Sequence, residues 1–124
     1  MHSIKPSECQ DALGMESGAI SDAQITASSF YHNNDKYAAY HGRLHLQENK
    51  NRSGAWSAGK NDDNQWLQID LIGKHRVTRV ATQGRDRVDQ WVTEYTLQYS
   101  NDSLNFHDYN EDGENAIKVK YSTN

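Results

Sequence analysis

Three groups of side chains in this sequence have the types and spacing to do chemistry. His41-x-x-x-His45 has the spacing that places two imidazoles side by side on a helix, where they could bind zinc. Asp62-Asp63 and Asp86-x-x-Asp89 offer carboxylates, the ligands that calcium prefers. Cys9 is the single thiol of the chain. Each group needs a particular element to position it.

Those elements are not indicated by the surrounding sequence. The stretch around His41 and His45 is typical of a loop leading into a strand, which does not bring the two rings together. Cys9 has no adjacent helix or cation to activate it as a nucleophile. The chain has no Gly-x-Ser-x-Gly turn, no phosphate loop and no His-Glu-x-x-His. We therefore predict that the protein is not an enzyme and needs no cofactor. Calcium is a secondary expectation, with weak candidates at Asp62, Asp63, Asp86 and Asp89.

Bulk composition narrows the class further. A length of 124 residues predicts one domain, spanning 1–124. Lys and Arg number 13 against 17 Asp and Glu, and the net charge of -4 argues against nucleic acid as a partner. No run of about 18 apolar residues is present, so the sequence predicts no membrane-spanning helix. Met1 to Pro6 contains no apolar segment of the signal-peptide type.

Period-2 patterns predict the framework of the domain. Gln24–Ser29 is short and contains β-branched residues, and Trp66–Leu71 places three apolar side chains on one face. Arg76–Thr82 alternates imperfectly, which predicts a bulged or fully buried strand. Thr93–Ser100 alternates cleanly, and the turn residues Ser100–Ser103 that follow predict a hairpin. Short strands without crossover helices indicate an all-β antiparallel sandwich or barrel.

Six motifs, in this order, resemble the coagulation factor 5/8 type C, or discoidin, domain family. The resemblance covers the chain from Cys9 to about Tyr109. The motifs are Cys9 to Ser29, Gly42-Arg43-Leu44, Gly54-Ala55-Trp56, Gln65 to Leu71, Thr82-Gln83-Gly84-Arg85, and Tyr95 to Asp102.

The resemblance implies a fold and a class of function. The family fold is a jelly-roll-like, galactose-binding-like β-sandwich of about eight strands, from which loops protrude at one end. Family members bind anionic phospholipid, collagen, carbohydrate or cell-surface proteins through these loops. Some members hold a calcium ion near the loops. Arg43 and Asp70 both occupy motif positions, and a partly buried ion pair between them is one structural reason for that.

The resemblance also sets an expectation for the chain ends. Family domains continue through a strand resembling Arg-Tyr-Ile-Arg to a terminal Cys, which pairs with the counterpart of Cys9. The present sequence stops at Asn124 without either feature. We therefore expect a domain that is truncated at its C-terminus and lacks its last strand or strands. A disulfide closing so long a loop contributes about 3 to 5 kcal/mol, so we expect reduced stability.

Two loops precede the middle of the chain. Loop one, Tyr31–Tyr40, resembles the first protruding loop of the family, with Tyr31, Tyr37 and Tyr40 as candidate contacts. Tyrosines suit contacts with protein or sugar better than deep insertion into lipid. The alternative is that one or two of them pack on the sandwich. Loop two, Glu48–Ser53, contributes Arg52 and the glycosylation sequon at Asn51. A second sequon begins at Asn101.

Loop three, Gln83–Trp91, contains Arg85, Arg87 and Trp91. In collagen receptors of the family, the Arg matching Arg85 contacts collagen, but two other key positions fall on Asn33 and Ser53 and differ here. Loop three looks more like that of neurexin-related adhesion proteins. The structural alternative for Arg85 is an ion pair with Asp86 or Asp89. For Trp91 the alternative is burial at the start of the next strand.

The function predicted from these features is an extracellular binding module for cell adhesion or matrix recognition. Its partner would be a cell-surface or matrix protein or a glycan, bound through the three loops. One alternative is a module that binds phosphatidylserine or other anionic membrane lipid. The other is a carbohydrate-binding appendage of a secreted protein.

Overall fold

The computed structural model describes residues 11–109. Within this range the chain forms short strands and 3₁₀ turns joined by irregular segments. Two two-stranded antiparallel sheets are present. The strands are β1 (Ile25–Ala27), β2 (Leu67–Ile69), β3 (Gln98–Tyr99) and β4 (His107–Asp108), and the 3₁₀ turns are Asp22–Gln24, Tyr31–Asn33, Asp35–Tyr37 and Ala39–His41.

Strands β1 and β2 pair across about forty intervening residues. Their register places Ile25 opposite Ile69 and Ala27 opposite Leu67. Two further backbone hydrogen bonds extend the ladder, from Ser28 N to the Trp66 carbonyl (3.0 Å) and from Asp70 N to the Gln24 carbonyl (2.8 Å). The pairing confirms the two strands predicted over Gln24–Ser29 and Trp66–Leu71, and it brings loop one and the segment before β2 to the same end of this sheet.

The predicted hairpin after Ser100 is also present. Gln98 pairs with Asp108 and Tyr99 with His107. The Asp102 carboxylate holds the connecting turn because it accepts hydrogen bonds from the backbone N–H of Asn105 (2.8 Å) and Leu104 (2.9 Å). These bonds, the one to Asn105 most of all, keep the Asp102 pKa well below its usual range.

The buried core is small and lies in the first half of the described chain. Ile20, Ile25 and Ala39 form its centre. Partly buried side chains packed around it include Met15, Ala27, Tyr40, Trp56, Leu67 and Leu71. The Trp56 indole donates to the Ser29 carbonyl (2.8 Å), which satisfies its single polar group. The base of loop one therefore rests on this core.

Two sequence predictions about strands are wrong or only partly right. Arg76–Thr82 forms no strand in the structure, and within 93–100 only Gln98–Tyr99 is paired. A strand is stabilised by its ladder partner, and no neighbouring segment among residues 11–109 pairs with 76–82. Apolar side chains of this region are accordingly exposed, among them Val77, Val80, Val92 and Leu97.

Among residues 11–109, no helix has the length and apolar character needed to cross a lipid bilayer.

Candidate functional site

Loop one folds as three consecutive 3₁₀ turns. Asn34 separates the first two turns, and its side-chain oxygen accepts from the Lys36 N–H (3.0 Å), which caps the second. His32 and Asn33 adopt left-handed backbone angles, with φ of 53° and 50°. Such angles are uncommon outside glycine and turn the chain sharply. The turn presents Tyr31 at the surface.

The tyrosines of loop one differ in exposure. Tyr31 is 44% exposed. Its ring stacks on His32 at 4.0 Å and meets Tyr37 edge-on at 5.2 Å. Tyr37 and Tyr40 are half-buried, and Tyr40 packs against the core. Tyr31 and Tyr37 thus form an aromatic surface. Tyr40 instead packs on the body of the domain, which was the alternative expected for one or two of these tyrosines.

Arg43 fixes loop one to the rest of the domain. Its guanidinium donates to the carbonyl oxygens of three residues and to the Asp22 carboxylate (2.7 Å), while its side chain is only 10% exposed. The carbonyl groups belong to Tyr40 (3.0 Å), Met15 (2.9 Å) and Ile20 (2.8 Å). The suggested pair with Asp70 is therefore wrong. The Asp70 carboxylate lies at its own turn, where it accepts from the Ile72 N–H (2.8 Å).

Loop two is a tight turn closed by Asn49 and Arg52, which form an isolated antiparallel bridge. The Arg52 Nε donates to the Gln47 carbonyl (3.0 Å), so this guanidinium is used partly within the loop. Ser53 N donates to the Lys36 carbonyl (2.9 Å), which ties loop two to loop one. The sequon residue Asn51 is exposed, as is Asn101 in the second sequon.

Loop three closes on itself through the backbone of Arg85 and Gln90. Arg85 N donates to the Gln90 carbonyl at 2.9 Å. Arg87 lies near the tip with φ of 64° and a 69% exposed side chain, 3.7 Å from an Asp86 oxygen. Trp91 is 48% exposed and begins no strand, so its predicted alternative, burial in the next strand, is wrong.

Arg85 joins the three loops. Its guanidinium carbon lies 5.5 Å from the centre of the Tyr37 ring in loop one. The same group is 3.9 Å from a Glu48 oxygen in loop two and donates to Gln90 Oε1 (2.9 Å) in loop three. The ion pair suggested with Asp86 or Asp89 is replaced by these contacts. At 15% side-chain exposure, Arg85 holds the loops together more than it faces solvent.

The calcium candidates do not form a cluster. Asp62 accepts from Asn64 N (2.9 Å) and Gln65 Nε2 (2.8 Å), and the bond from Gln65 is the main cause that lowers its pKa. Asp86 Oδ2 accepts from Glu48 N (2.8 Å). Across residues 11–109, no three acidic or histidine side chains lie together in an arrangement that could hold a metal ion. Cys9, the candidate disulfide half, lies outside the described residues.

The structure adds three residues that the sequence did not suggest as part of the site. Glu48 and Gln90 contact Arg85, and Gln83 Oε1 accepts from the His45 N–H at 2.7 Å. All three lie in irregular segments, where neither period-2 nor helical spacing indicates which side chains meet. Loops two and three each contain acidic and basic residues, so the sequence alone allowed several different ion pairs.

A family model described as the F5/8 type C domain matches residues 24–124. The match continues past Tyr109, where the recognised motifs end.

Several curated proteins are similar to the chain. Pig coagulation factor V is 39% identical over 115 residues, which cover 90% of this chain and 5% of factor V. Human EGF-like repeat and discoidin I-like domain-containing protein 3 is 38% identical over 117 residues, which cover 91% of the chain and 24% of that protein. Retinoschisin from Takifugu rubripes is 44% identical over 94 residues, 73% of the chain and 32% of retinoschisin. The chain thus spans a third or less of each relative.

Proposed function

Because the chain belongs to the F5/8 type C, or discoidin, domain family, whose fold is an antiparallel β-sandwich, we propose that it is a non-enzymatic extracellular binding module. The partner is a cell-surface or matrix protein or glycan, bound through loops one to three. The observation that carries this proposal is the meeting of all three loops at Arg85. Because the loops meet there, one partner can contact side chains of all three loops at once.

The side chains available to a partner lie around this meeting point. Tyr31, Arg87 and Trp91 are the exposed members of the predicted contact set. Tyrosine, tryptophan and arginine are the residue types that dominate binding energy in protein interfaces, since they combine large apolar area with hydrogen bonding. Tyr37 and Arg85 are less exposed, and their contact with each other joins loop one to loop three.

Binding of the labelled 124-residue chain to cultured cells and to cell-free extracellular matrix tests the proposal. Tyr31→Ala, Arg87→Ala and Trp91→Ala should each lower the apparent affinity by about thirtyfold, which corresponds to the roughly 2 kcal/mol of an interface hot spot. Tyr99→Ala and Arg79→Ala form a matched control, because both side chains are exposed and lie outside the loops. These control variants should bind like the parent chain.

Two outcomes would overturn the proposal. Equal losses in the loop and control variants would show that the loops are not the contact surface. Binding confined to phosphatidylserine-containing vesicles, with none to cells or matrix stripped of that lipid, would assign the chain to membrane recognition instead.

A further inference from the structure

The glycosylation sequon of loop two lies between loops one and three. The chain enters loop two at Glu48, whose N–H donates to Asp86 Oδ2 of loop three (2.8 Å). It leaves at Ser53, whose N–H donates to the Lys36 carbonyl of loop one (2.9 Å). Asn51 follows Glu48 by three residues, which is within about 11 Å even for a fully extended chain. A group attached to Asn51 therefore stands beside both neighbouring loops.

The Asn51 side chain can carry such a group at no cost to the loop. The turn is closed by Asn49, whose side-chain oxygen accepts from the N–H of Asn51 (2.8 Å) and of Arg52 (3.1 Å). The Asn51 side chain is exposed and, in the described part of the chain, makes no hydrogen bond of its own. Modification of its amide therefore removes no contact from the turn.

The serine of the sequon, by contrast, is part of the fold. Ser53 is 3% exposed, and its hydroxyl donates to the Ala55 carbonyl (2.6 Å) and accepts from the Ala55 N–H (3.2 Å). The acceptor signal for glycosylation is the whole Asn-x-Ser triplet, so the transferase needs the serine as well as the asparagine. Transfer to Asn51 must therefore precede the burial of Ser53, while loop two is still unfolded.

We propose that Asn51 carries an N-linked glycan and that this glycan limits the access of a partner to loops one to three. In the transfer, the Asn51 Nδ2 bonds to the anomeric carbon of a lipid-linked oligosaccharide. The bond from that carbon to the lipid diphosphate breaks, and the amide loses one proton to a base of the transferase. The inference rests on the proposed function, because only a chain that enters the secretory pathway meets this enzyme.

The second sequon provides an internal comparison. Asn101 is also exposed, but it lies in the turn of the β3–β4 hairpin, outside the three loops. A glycan at Asn101 adds the same bulk and polarity without standing between loops one and three. The two positions therefore separate an effect of place from an effect of glycosylation in general.

The parent chain, Asn51→Gln and Asn101→Gln, each secreted from animal cells behind a cleavable leader, test the inference. Peptide mass spectrometry should find a glycan on Asn51 of the parent. Secreted Asn51→Gln should bind cultured cells and cell-free matrix about tenfold more tightly than the secreted parent, as expected if the glycan leaves the loops uncovered about one tenth of the time. Secreted Asn101→Gln should bind like the secreted parent.

The same three chains made in bacteria, without the glycan, control for the substitutions and should all bind alike. A bare Asn51 in the secreted parent, or equal binding by the secreted parent and Asn51→Gln, would overturn the inference. If the bacterial parent nevertheless binds and loses affinity through Tyr31→Ala and Trp91→Ala, the glycan inference alone fails and the proposed function stands. A bacterial parent that binds neither cells nor matrix would refute the proposed function, and the inference with it.

Discussion

Arg43 and Arg85 both lie in motif segments and both join separate parts of the chain, yet the structure holds them differently. Arg43 donates four hydrogen bonds, three to carbonyl oxygens and one to a carboxylate. Arg85 donates one side-chain hydrogen bond, to Gln90 Oε1, and its Nε is buried without a partner among the described residues. The ion pair of Arg43 measures 2.7 Å, that of Arg85 3.9 Å.

These contacts make Arg43 a rigid support and Arg85 an adjustable junction. A buried guanidinium is tolerated when each of its donors is satisfied, and Arg43 comes close to that condition. Arg85 combines a ring contact, one hydrogen bond and a loose ion pair, so its environment can change at low cost. The domain therefore anchors loop one firmly at its base, while the contacts where the three loops meet are weaker and can rearrange, as the proposed binding of a partner would require.

Removing the Arg43 guanidinium should have the largest effect. Arg43→Met should lower the free energy of unfolding by about 3 kcal/mol, because three carbonyl oxygens lose their donor. Urea unfolding followed by tryptophan fluorescence measures this loss. Asp22→Asn is the control and should cost less than about 1 kcal/mol, since the Asp22 carboxylate is 64% exposed. Equal losses would contradict the assignment of Arg43 as the support.

Filling the space at Gly54 should have the next largest effect. A Cβ at this position would lie 2.5 Å from the Asp86 Cβ and 2.9 Å from the Leu46 carbonyl oxygen. Gly54→Ala should therefore push loop three away from the segment before loop two and cost about 2 kcal/mol in unfolding free energy.

Gly73→Ala is the control for this change, because the nearest atom to a Cβ there is 3.7 Å away. Its thermal unfolding midpoint should stay near that of the parent chain. A Gly54→Ala protein with an unchanged midpoint would show that loop three and the segment before loop two do not pack closely around Gly54.

The sequence predicted the elements that depend on local pattern. Strands β1 and β2 and the hairpin after Ser100 are marked by alternation and turn residues, which act over a few positions. Loops one and two were located by the absence of such patterns, and loop three by its resemblance to a family motif. The family was identified from motifs in their order, and the match over residues 24–124 confirms it.

Contacts between distant loops were not predicted, because sequence pattern carries no information about them. Arg85 pairs with Glu48 and not with the adjacent Asp86 or Asp89, and Arg43 pairs with Asp22 and not with Asp70. A charged side chain has several partners within reach, and the backbone path of the loops decides among them. Alternation in 76–82 likewise could not show whether a partner strand lies beside it.

The contact between Arg85 and Tyr37 should contribute a smaller energy, in keeping with an adjustable junction. A double-mutant cycle with Arg85→Gln and Tyr37→Leu should give a coupling energy of about 0.5 to 1 kcal/mol, the range for a cation over an aromatic ring near the surface. Urea unfolding of the four proteins gives this value. A coupling energy above about 2 kcal/mol would mean that Arg85 is as firmly held as Arg43, and the comparison would fail.

The smallest effect concerns His41, which ends the 3₁₀ turn Ala39–His41 at the base of loop one. Burial lowers the His41 pKa below its ordinary value of 6.5, opposed by the hydrogen bond to the Asp35 carbonyl; the charges of Arg52 and Arg43 lower it and that of Asp22 raises it. Below about pH 6.5, His41 of the unfolded chain therefore takes up a proton more readily than His41 of the folded chain. The stability that neutral His41 contributes is present above that pH and is lost as the pH falls from there through the lower pKa of the folded chain.

His41→Gln should flatten this dependence, since a glutamine amide can still donate to the Asp35 carbonyl, 2.9 Å from the His41 Nε2, but does not titrate. Thermal midpoints of both proteins at about pH 7.5 and about pH 5.5 test the effect. Between these pH values, the thermal midpoint of the parent chain should fall further than that of the variant. The difference should be smaller than the effect of any substitution described above. The other histidines titrate in both proteins, so equal declines would mean that protonation of His41 does not weaken the base of loop one.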